Sequence, residues 1–301
     1  MTSEPNDVDT RWQTWRRQVA ECLVLPIVGA SLPWPLAWRA LQWLANRGRF
    51  FGVETARAQA VALQQGFAGD AASWAARHRL MRIVDQVDPA LSWTRSDHWM
   101  DRHMTVDGDP LPPAPCIFVG FHYGTGFWSL RHLRRHGHRV SFISAPVDAG
   151  QCPGQPLRHA FRRWRMQRVA DAGGAPVIYV GGSRDRIEAA LREGISVLGM
   201  VDVPEPSSSR VAVPFLGGEA WLPDGMLRLA ETGNVPLIAY LAGLDPQTGA
   251  RRLRLTRLPA GRDDALRALA AMLESAVRAE PAAWHLWANW PFFVKSRTAR
   301  G

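Results

Sequence analysis

The spacing of hydrophobic and polar positions divides the chain into two parts. From Thr10 to about Val87 the apolar residues recur at the intervals of amphipathic helices, most clearly over Glu54–Gln65 and Ala71–Val84. The first part, residues 1–110, is therefore predicted to be a layer of helices.

The second part begins after the proline-rich connector Pro110–Pro115, where short continuous apolar runs replace the helical spacing. The predicted strands are residues 116–122, 140–145, 176–181, 196–202, 211–217, 235–244 and 252–259. The predicted helices are Thr125–Arg135, Leu157–Val169, Arg184–Arg192, Asp224–Thr232 and Asp263–Glu280. Strands that alternate with helices predict an α/β fold, a mixed central sheet flanked by helices over residues 111–301. Residues 1–301 are predicted to form one domain, with Pro204–Ser209 as a loop.

The composition adds a strong positive charge. Lys and Arg number 36 against 27 Asp and Glu, a net charge of +9 over 301 residues. Such a surface attracts nucleic acid, anionic lipid headgroups or an acidic carrier protein, although many proteins encoded by GC-rich genomes are rich in arginine and alanine for compositional reasons alone. No helix-turn-helix, RNP-like or zinc-finger pattern accompanies the charge, so nucleic-acid binding is not expected.

The cysteines and the N-terminus bear on the compartment. Cys22, Cys116 and Cys152 are odd in number and scattered, which favours a reducing cytoplasm over a disulfide framework. The polar, acidic start Thr2–Asp9 does not resemble a signal peptide. Three histidines within residues 132–140 are joined by neither an acid nor a cysteine, so no metal and no cofactor are predicted.

The longest uncharged run is Cys22–Trp38, and prolines at 26, 33 and 35 interrupt it. A straight membrane-spanning helix is therefore not expected. Two interpretations remain open for this run. It either lies in the membrane interface, where tryptophan and flanking arginine side chains meet headgroups, or forms a buried helical hairpin of the core.

The residues that best suit catalysis lie in FVGFHYGTGFW, residues 118–128. His122 ends an apolar strand, and ligands of open α/β sheets bind at the carboxyl ends of strands, so its imidazole is placed to act as a general base. Gly124 and Gly126 allow close approach of the backbone, and the helix that follows offers unpaired N–H groups to an oxyanion. Thr125 is expected to cap that helix rather than to be a nucleophile.

Further blocks extend the pattern along the chain. Ala190–Gly194 precedes an apolar strand that ends in Asp202, and VPFLG at 213–217 and WLPDGMLRLAETGNVPLI at 221–238 follow. Pro281 opens a tryptophan-rich segment after the last helix. In order and spacing, about Pro115 to Phe293 resembles the lysophospholipid-acyltransferase superfamily, in particular the bacterial lipid A late (lauroyl or myristoyl) acyltransferases.

The resemblance implies a glycerolipid-acyltransferase-like fold and a catalytic His122. In the family an acid stands five residues after the histidine, in an H-x4-D/E motif, whereas this chain has Phe127 there. The basic pair before the family's final Phe is likewise replaced, by Trp290 and Pro291. Asp202, which matches the family's motif aspartate, is the favoured substitute for the missing acid. Alternatively the imidazole acts unassisted on an acceptor such as a phenol or an amine, or the site has kept binding and lost catalysis.

The resemblance also suggests partners. The arginine-rich run 158–168 lies where the family contacts an anionic group of the donor or acceptor. The residues expected to bind that group are Arg163, Arg165 and Arg168. The alternative interpretation of this run is an ordinary solvated helix face. Gly124, Thr125, Gly126 and Phe127 are expected to bind the oxyanion or substrate. The predicted function is acyl transfer from acyl carrier protein or acyl-CoA to a hydroxyl or amine of a lipid or small-molecule acceptor, at the cytoplasmic face of the inner membrane. The acceptor would belong to lipopolysaccharide or secondary-metabolite biosynthesis. The alternative function is a catalytically degenerate protein that binds acyl carriers or lipids in a biosynthetic assembly.

Overall fold

A computed structural model describes residues 7–203 and 209–295 of the chain. Its first part is helical, as the periodicity predicts. The helices are α1 Asp7–Val19, α2 Leu25–Ser31, α3 Trp34–Asn46, α4 Gly52–Gln64, α5 Ala71–Thr94 and α6 Asp97–Arg102, with a π-helical turn Ala20–Val24 joining α1 to α2. Among the described residues no helix combines the length and the apolarity needed to cross a membrane.

Prolines set the break between α2 and α3. Leu32 is extended, with ψ of 152°, because the residue before a proline is disfavoured in the helical region. Pro35 lies in the first turn of α3, where its missing N–H costs nothing. By contrast, α5 continues past Pro89 to Thr94, ten residues beyond the predicted end, because residues 87–92 are buried against the rest of the fold.

The second part is an α/β unit. Its strands are β1 Met104–Gly108, β2 Ile117–Gly120, β3 Val140–Ser144, β4 Ile178–Tyr179, β5 Ser196–Met200, β6 Arg210–Phe215, β7 Gly218–Pro223, β8 Leu237–Leu244, β9 Arg251–Arg257 and β10 Val294–Lys295. Its helices are α7 Phe127–Arg135, α8 Pro156–Gly173, α9 Arg184–Arg192, α10 Gly225–Gly233, α11 Arg262–Ala279 and α12 Trp290–Phe293. Short 3-10 turns cover Ala149–Gln151, Pro281–Ala283 and Trp287–Asn289.

Seven strands form a mixed central sheet flanked by helices, in the order β1-β9-β8-β2-β5-β3-β4. Only the β8–β9 pair is antiparallel within this sheet; all other neighbours run parallel. The α/β class with a mixed sheet predicted from the sequence is confirmed at this level. β2 and β5 lie side by side in the middle, so their carboxyl ends emerge together at one edge.

Several strands differ from the sequence prediction. β6, predicted as one more strand of the layered sheet, pairs instead with β7, and β7 pairs with β10, in a separate antiparallel sheet of three strands. The edge strand β1 was not predicted, because four of its five residues are exposed and the apolar signal is weak. It falls within the predicted helical part of the chain yet pairs with β9. The predicted loop Pro204–Ser209 lies outside the described residues except for Ser209.

One continuous cluster of buried side chains joins the helical part to the sheet. Leu25, Trp34 and Trp38 of the proline-interrupted run belong to it, which agrees with the buried-hairpin interpretation. The same helices also carry large apolar side chains on their outer face. These exposed residues are Trp12, Trp15, Leu23, Val24, Ile27, Leu36 and Trp43. The run therefore has a core face and an exposed apolar face.

Candidate active site

His122 and Asp202 meet where the two central parallel strands end. His122 follows β2 by two residues, and Asp202 follows β5 by two residues. Asp202 Oδ1 lies 2.9 Å from Nδ1 of the His122 ring. Both carboxylate oxygens also accept the main-chain N–H of His122, at 3.0 and 2.9 Å. The strand ends thus place an imidazole and a carboxylate in direct contact; their chemical roles remain predictions.

Asp202 is held on a second side by the tryptophan-rich C-terminal segment. The indole N–H of Trp284 donates to its Oδ2 at 3.1 Å. The Asp202 side chain is 1% exposed, whereas that of His122 is 40% exposed. A buried carboxylate that accepts three N–H groups is fixed in orientation, and it therefore fixes the more exposed imidazole.

The contact sets the proton chemistry of the imidazole. Burial lowers the pKa of His122, but the charge of Asp202 and its hydrogen bond outweigh burial, so the pKa lies above its usual value. Because a carboxylate only accepts hydrogen bonds, Nδ1 must carry a proton towards Asp202. Nε2 is then the nitrogen that can take up a proton from a substrate.

His122 lies between two cavities. The larger, of about 650 Å³, is bounded by β3, β5, α9 and α10 and has mainly apolar walls. Representative lining residues are Phe142, Ile143, Ile187, Val201, Met226 and Leu229. The smaller, of about 270 Å³, is lined by the turn after His122 and by polar residues of α5 and α8. Both cavities have mainly apolar walls, and the smaller one also carries the charged side chains of Arg82, Asp85 and Arg165.

The turn after His122 is shaped by Gly124. Its φ is +60°, and a Cβ there would come within 1.9 Å of the carbonyl oxygen of Ala242, so only glycine fits. Its N–H donates to the carbonyl of Ala283 at 2.8 Å. The Gly124 N–H is therefore already used, and the oxyanion expected near Gly124–Gly126 would have to be held by the N–H groups that follow it. Within the described part of the chain, the N–H groups of Thr125, Gly126 and Phe127 have no such acceptor.

Thr125 does not cap the following helix. α7 starts at Phe127 with Gly126 as its N-cap residue, and no side chain bonds to its first turn. The Thr125 hydroxyl is buried and has no hydrogen-bond partner among the described groups. The expected cap is thus absent, since the turn delays the helix by two residues. Gly126 and Phe127 line the smaller cavity.

Phe127, which stands at the position of the family's acid, is 5% exposed. The guanidinium carbon of Arg165 lies 5.8 Å from its ring centroid. Phe127 therefore forms part of the wall of the cavity beside His122, while the polar contact to the imidazole comes from Asp202.

The three arginines expected to bind an anion are not brought together. Arg165 lines the smaller cavity but donates to the carboxylate and to the main-chain oxygen of Asp85, at 2.8 and 2.7 Å. Arg168 pairs with Asp171 and lines a different depression. Arg163 is exposed on the outer face of α8. Of the three, only Arg165 is close to His122.

Sequence reasoning missed three residues of the smaller cavity: Arg82 and Asp85 of α5, and His285 near the C-terminus. His285 donates from Nε2 to the carbonyl of Gly124 at 2.7 Å, and its main-chain N–H donates to the carbonyl of His122 at 2.9 Å. Arg82 and Asp85 are three apart on one helix, a spacing that places both on one face. That spacing was the only available signal.

No group of three or more His, Cys, Asp or Glu residues suited to a metal ion occurs in the described ranges. The three cysteines are buried, free thiols. No protein-family model matches the chain, and no curated protein matches it either.

Proposed function

We propose that the protein is an acyltransferase of the lysophospholipid-acyltransferase type, resembling the lipid A late acyltransferases. It would move an acyl chain from a thioester, on acyl carrier protein or coenzyme A, to a hydroxyl or amine. One observation carries the proposal: the His122 imidazole, held at Nδ1 by Asp202, lies between a larger cavity with mainly apolar walls and a smaller one that Arg82, Asp85 and Arg165 also line. This arrangement suits a base that must act where an acyl chain meets a polar acceptor.

In the proposed reaction, His122 Nε2 takes the proton from the acceptor hydroxyl or amine as its oxygen or nitrogen attacks the thioester carbonyl carbon. The new C–O or C–N bond forms, and the C–S bond breaks as the tetrahedral intermediate collapses. The leaving thiolate takes the proton back from the imidazolium. Asp202 stabilises that imidazolium, and the unpaired N–H groups at Thr125–Phe127 are suited to the oxyanion. No acyl-enzyme is required, since no nucleophile accompanies the histidine.

The larger cavity is the proposed site of the acyl chain. Its volume of about 650 Å³ falls within the range of roughly 300–1,000 Å³ typical of small-molecule sites. Its walls come from aliphatic and aromatic side chains of β3, β5, α9 and α10, which would bury methylene groups favourably. Arg184 and Arg228 also line this cavity, where they pair with Glu188 and Asp224.

The proposed location is the cytoplasmic face of the inner membrane, with peripheral contact through the N-terminal helices. The exposed side chains of Ile27, Leu36 and Trp43 are 61%, 53% and 56% accessible, and Arg47 stacks on Trp43 at 4.7 Å. Exposed apolar residues beside basic ones are typical of surfaces that lie on anionic lipid.

Release of free thiol from lauroyl-CoA, with and without a hydroxyl or amine acceptor, tests the proposal. We expect turnover that His122→Ala removes and that His136→Ala leaves intact, because His136 is exposed and outside both cavities. Turnover that survives His122→Ala would contradict the proposal. A protein that binds acyl carrier protein but never turns over would instead favour the binding-protein alternative, for which Phe127 at the family's acid position is the argument.

A further inference from the structure

A basic depression lies between α1 and the turn that follows α3, outside both cavities at His122. Its volume of about 480 Å³ falls within the range of roughly 300–1,000 Å³ typical of small-molecule sites. Its walls come from the second half of α1 and from residues 43–50, and they include four exposed arginines, Arg16, Arg17, Arg47 and Arg49. Among the described residues no carboxylate lines it. The proposed reaction makes no use of this depression.

The acids that follow these arginines in the sequence are engaged elsewhere. Glu21 stands four residues after Arg17, but its side chain is 1% exposed and pairs with Arg158 at 2.6 Å. It also accepts the main-chain N–H of Phe51 at 3.2 Å. Glu54 lies 3.8 Å from the same Arg158 guanidinium. In the part of the chain that the structure describes, none of the four arginines of the depression has a carboxylate oxygen within 4.0 Å.

The depression therefore carries an excess of positive charge. Five guanidinium groups, counting that of Arg158, stand against the two carboxylates, which leaves three positive charges unpaired. Arg47 is held in place by stacking, since its guanidinium carbon lies 4.7 Å from the ring centroid of Trp43. Guanidinium groups gathered around one concavity repel each other, and a phosphate would relieve that repulsion through charge-assisted hydrogen bonds.

The apolar surroundings of the depression favour one source of that phosphate. α3 exposes Leu36, Arg39 and Trp43 at intervals of three and four residues, so they share one face, which ends at Arg47. On α1, Trp12 is 59% exposed and stands one helical turn before Arg16. A soluble phosphate would leave these apolar side chains in water. A bilayer offers phosphates to the arginines and, directly beneath them, an interface where tryptophan rings are stable.

We propose that the depression binds the phosphate of an anionic phospholipid headgroup at a bilayer surface, through Arg16, Arg17, Arg47 and Arg49. This inference rests on the proposed membrane location and adds to it a defined site, separate from those of the acyl donor and acceptor. Phe50 lines the depression, and the ring centroid of the neighbouring Phe51 lies 5.7 Å from the guanidinium carbon of Arg82 in the smaller cavity. A headgroup held in the depression therefore keeps that cavity beside the membrane.

Vesicle binding tests the site by charge and by geometry. Co-sedimentation with phosphatidylglycerol vesicles, and with phosphatidylcholine vesicles for comparison, is measured at low salt. The double variant Arg47→Gln with Arg49→Gln should weaken binding to phosphatidylglycerol about ten-fold to 100-fold, because each basic residue at an anionic surface contributes to binding. The double variant Arg47→Lys with Arg49→Lys should weaken it at least about three-fold, because lysine keeps the charge but loses the bidentate geometry.

The matched control is the double variant Arg102→Gln with Arg192→Gln. It removes the same charge from two exposed arginines that do not line the depression, and it should bind like the wild type. Circular dichroism melts establish that each variant is folded, and the lysine variant keeps the test valid if the glutamine variant is not. Equal weakening by the control, or full binding by the lysine variant, overturns the inference, because either result indicates diffuse attraction without a site.

A soluble lipid distinguishes a site from a general surface. Monomeric dihexanoyl-phosphatidylglycerol is titrated into isotopically labelled protein, and the amide NMR signals are followed. We expect saturable shifts at residues 47–50, which the glutamine variant loses. The absence of a saturable shift in the wild type overturns the inference. Shifts of the same residues by acyl carrier protein, without binding to phosphatidylglycerol vesicles, overturn it in favour of an acidic protein partner.

Thiol release from lauroyl-CoA with a soluble acceptor reports the proposed function independently. Turnover that depends on His122, in a protein that does not bind phosphatidylglycerol, overturns the headgroup site and leaves the proposed acyl transfer standing. Binding at the depression without any turnover supports the headgroup site and counts against the proposed acyl transfer.

Discussion

Replacing Asp202 with asparagine tests the centre of the site most directly. The variant keeps the shape of the side chain but removes the charge next to His122 Nδ1, 2.9 Å away. If the amide NH2 faces Nδ1, the imidazole must accept there and carry its proton on Nε2. The nitrogen that should act as the base is then blocked.

The magnitude follows from these contacts. The variant loses both the correct tautomer and the counter-charge of the imidazolium, effects that together reduce kcat by about 10²–10⁴ in general-base systems of this kind. This corresponds to about 3–5 kcal/mol in activation free energy. KM should change little, because the base acts on the transition state more than on substrate binding. Asparagine still offers one oxygen to the main-chain N–H of His122 or to Trp284, so the fold should survive.

The pH dependence provides a second readout. Asp202 raises the pKa of His122, so wild-type activity should rise with pH through a midpoint above 6.5, as the imidazole loses its proton. In Asp202→Asn the remaining activity should reach its midpoint at a lower pH. The contact between His122 and Asp202 also makes the stability of the fold depend on pH. Because the pKa of His122 is raised in the folded state, the stabilisation from this contact is complete below about pH 6.5 and is lost as the pH rises through the folded-state pKa.

Thiol release from lauroyl-CoA gives kcat and KM between pH 5 and 9, and thermal melts of both proteins provide the control for folding. A folded Asp202→Asn variant whose kcat stays within about three-fold of wild type, with an unmoved pH midpoint, would refute the role assigned to Asp202. The unassisted-imidazole alternative would then account better for any activity that His122→Ala removes.

Three further predictions concern other parts of the molecule. Phe127→Glu should not raise kcat, because Asp202 already contacts the imidazole. The substitution should lower the free energy of unfolding by about 2–3 kcal/mol, because a buried aromatic side chain is lost. A clear rise in kcat in the lauroyl-CoA assay would contradict this prediction. Ile27→Glu should abolish co-flotation of the protein with phosphatidylglycerol vesicles at low salt. The control Val106→Glu, on the exposed edge strand, should leave co-flotation unchanged. Equal flotation of both variants would exclude the N-terminal helices as the membrane contact. Arg251→Leu should lower the free energy of unfolding in urea by about 3–5 kcal/mol, because the fully buried Asp88 loses its ion-pair partner. A decrease below about 1 kcal/mol would contradict that reasoning.

The sequence alone determined the order and type of most elements. The helical periodicity predicted the first and last residues of α9, Arg184 and Arg192, correctly, because glycines flank this charged segment and a helix seldom continues through them. The continuous apolar run before His122 identified a buried strand, since a short run that is apolar at successive positions is typical of a strand covered on both faces. His122 was recognisable as a candidate base because it stands at the carboxyl end of that predicted strand.

Tertiary structure alone decided which side chains meet His122. Asp202 is 80 positions away, and its contact depends on β5 being the neighbour of β2, which the local pattern cannot specify. The use of the Gly124 N–H by Ala283 depends on a C-terminal segment that folds back over the turn. Arg82 reaches the cavity because α5 packs against α7 and α8. Periodicity records which face of an element is buried, whereas strand order and helix docking arise from the packing of the whole chain, and these bring the site together.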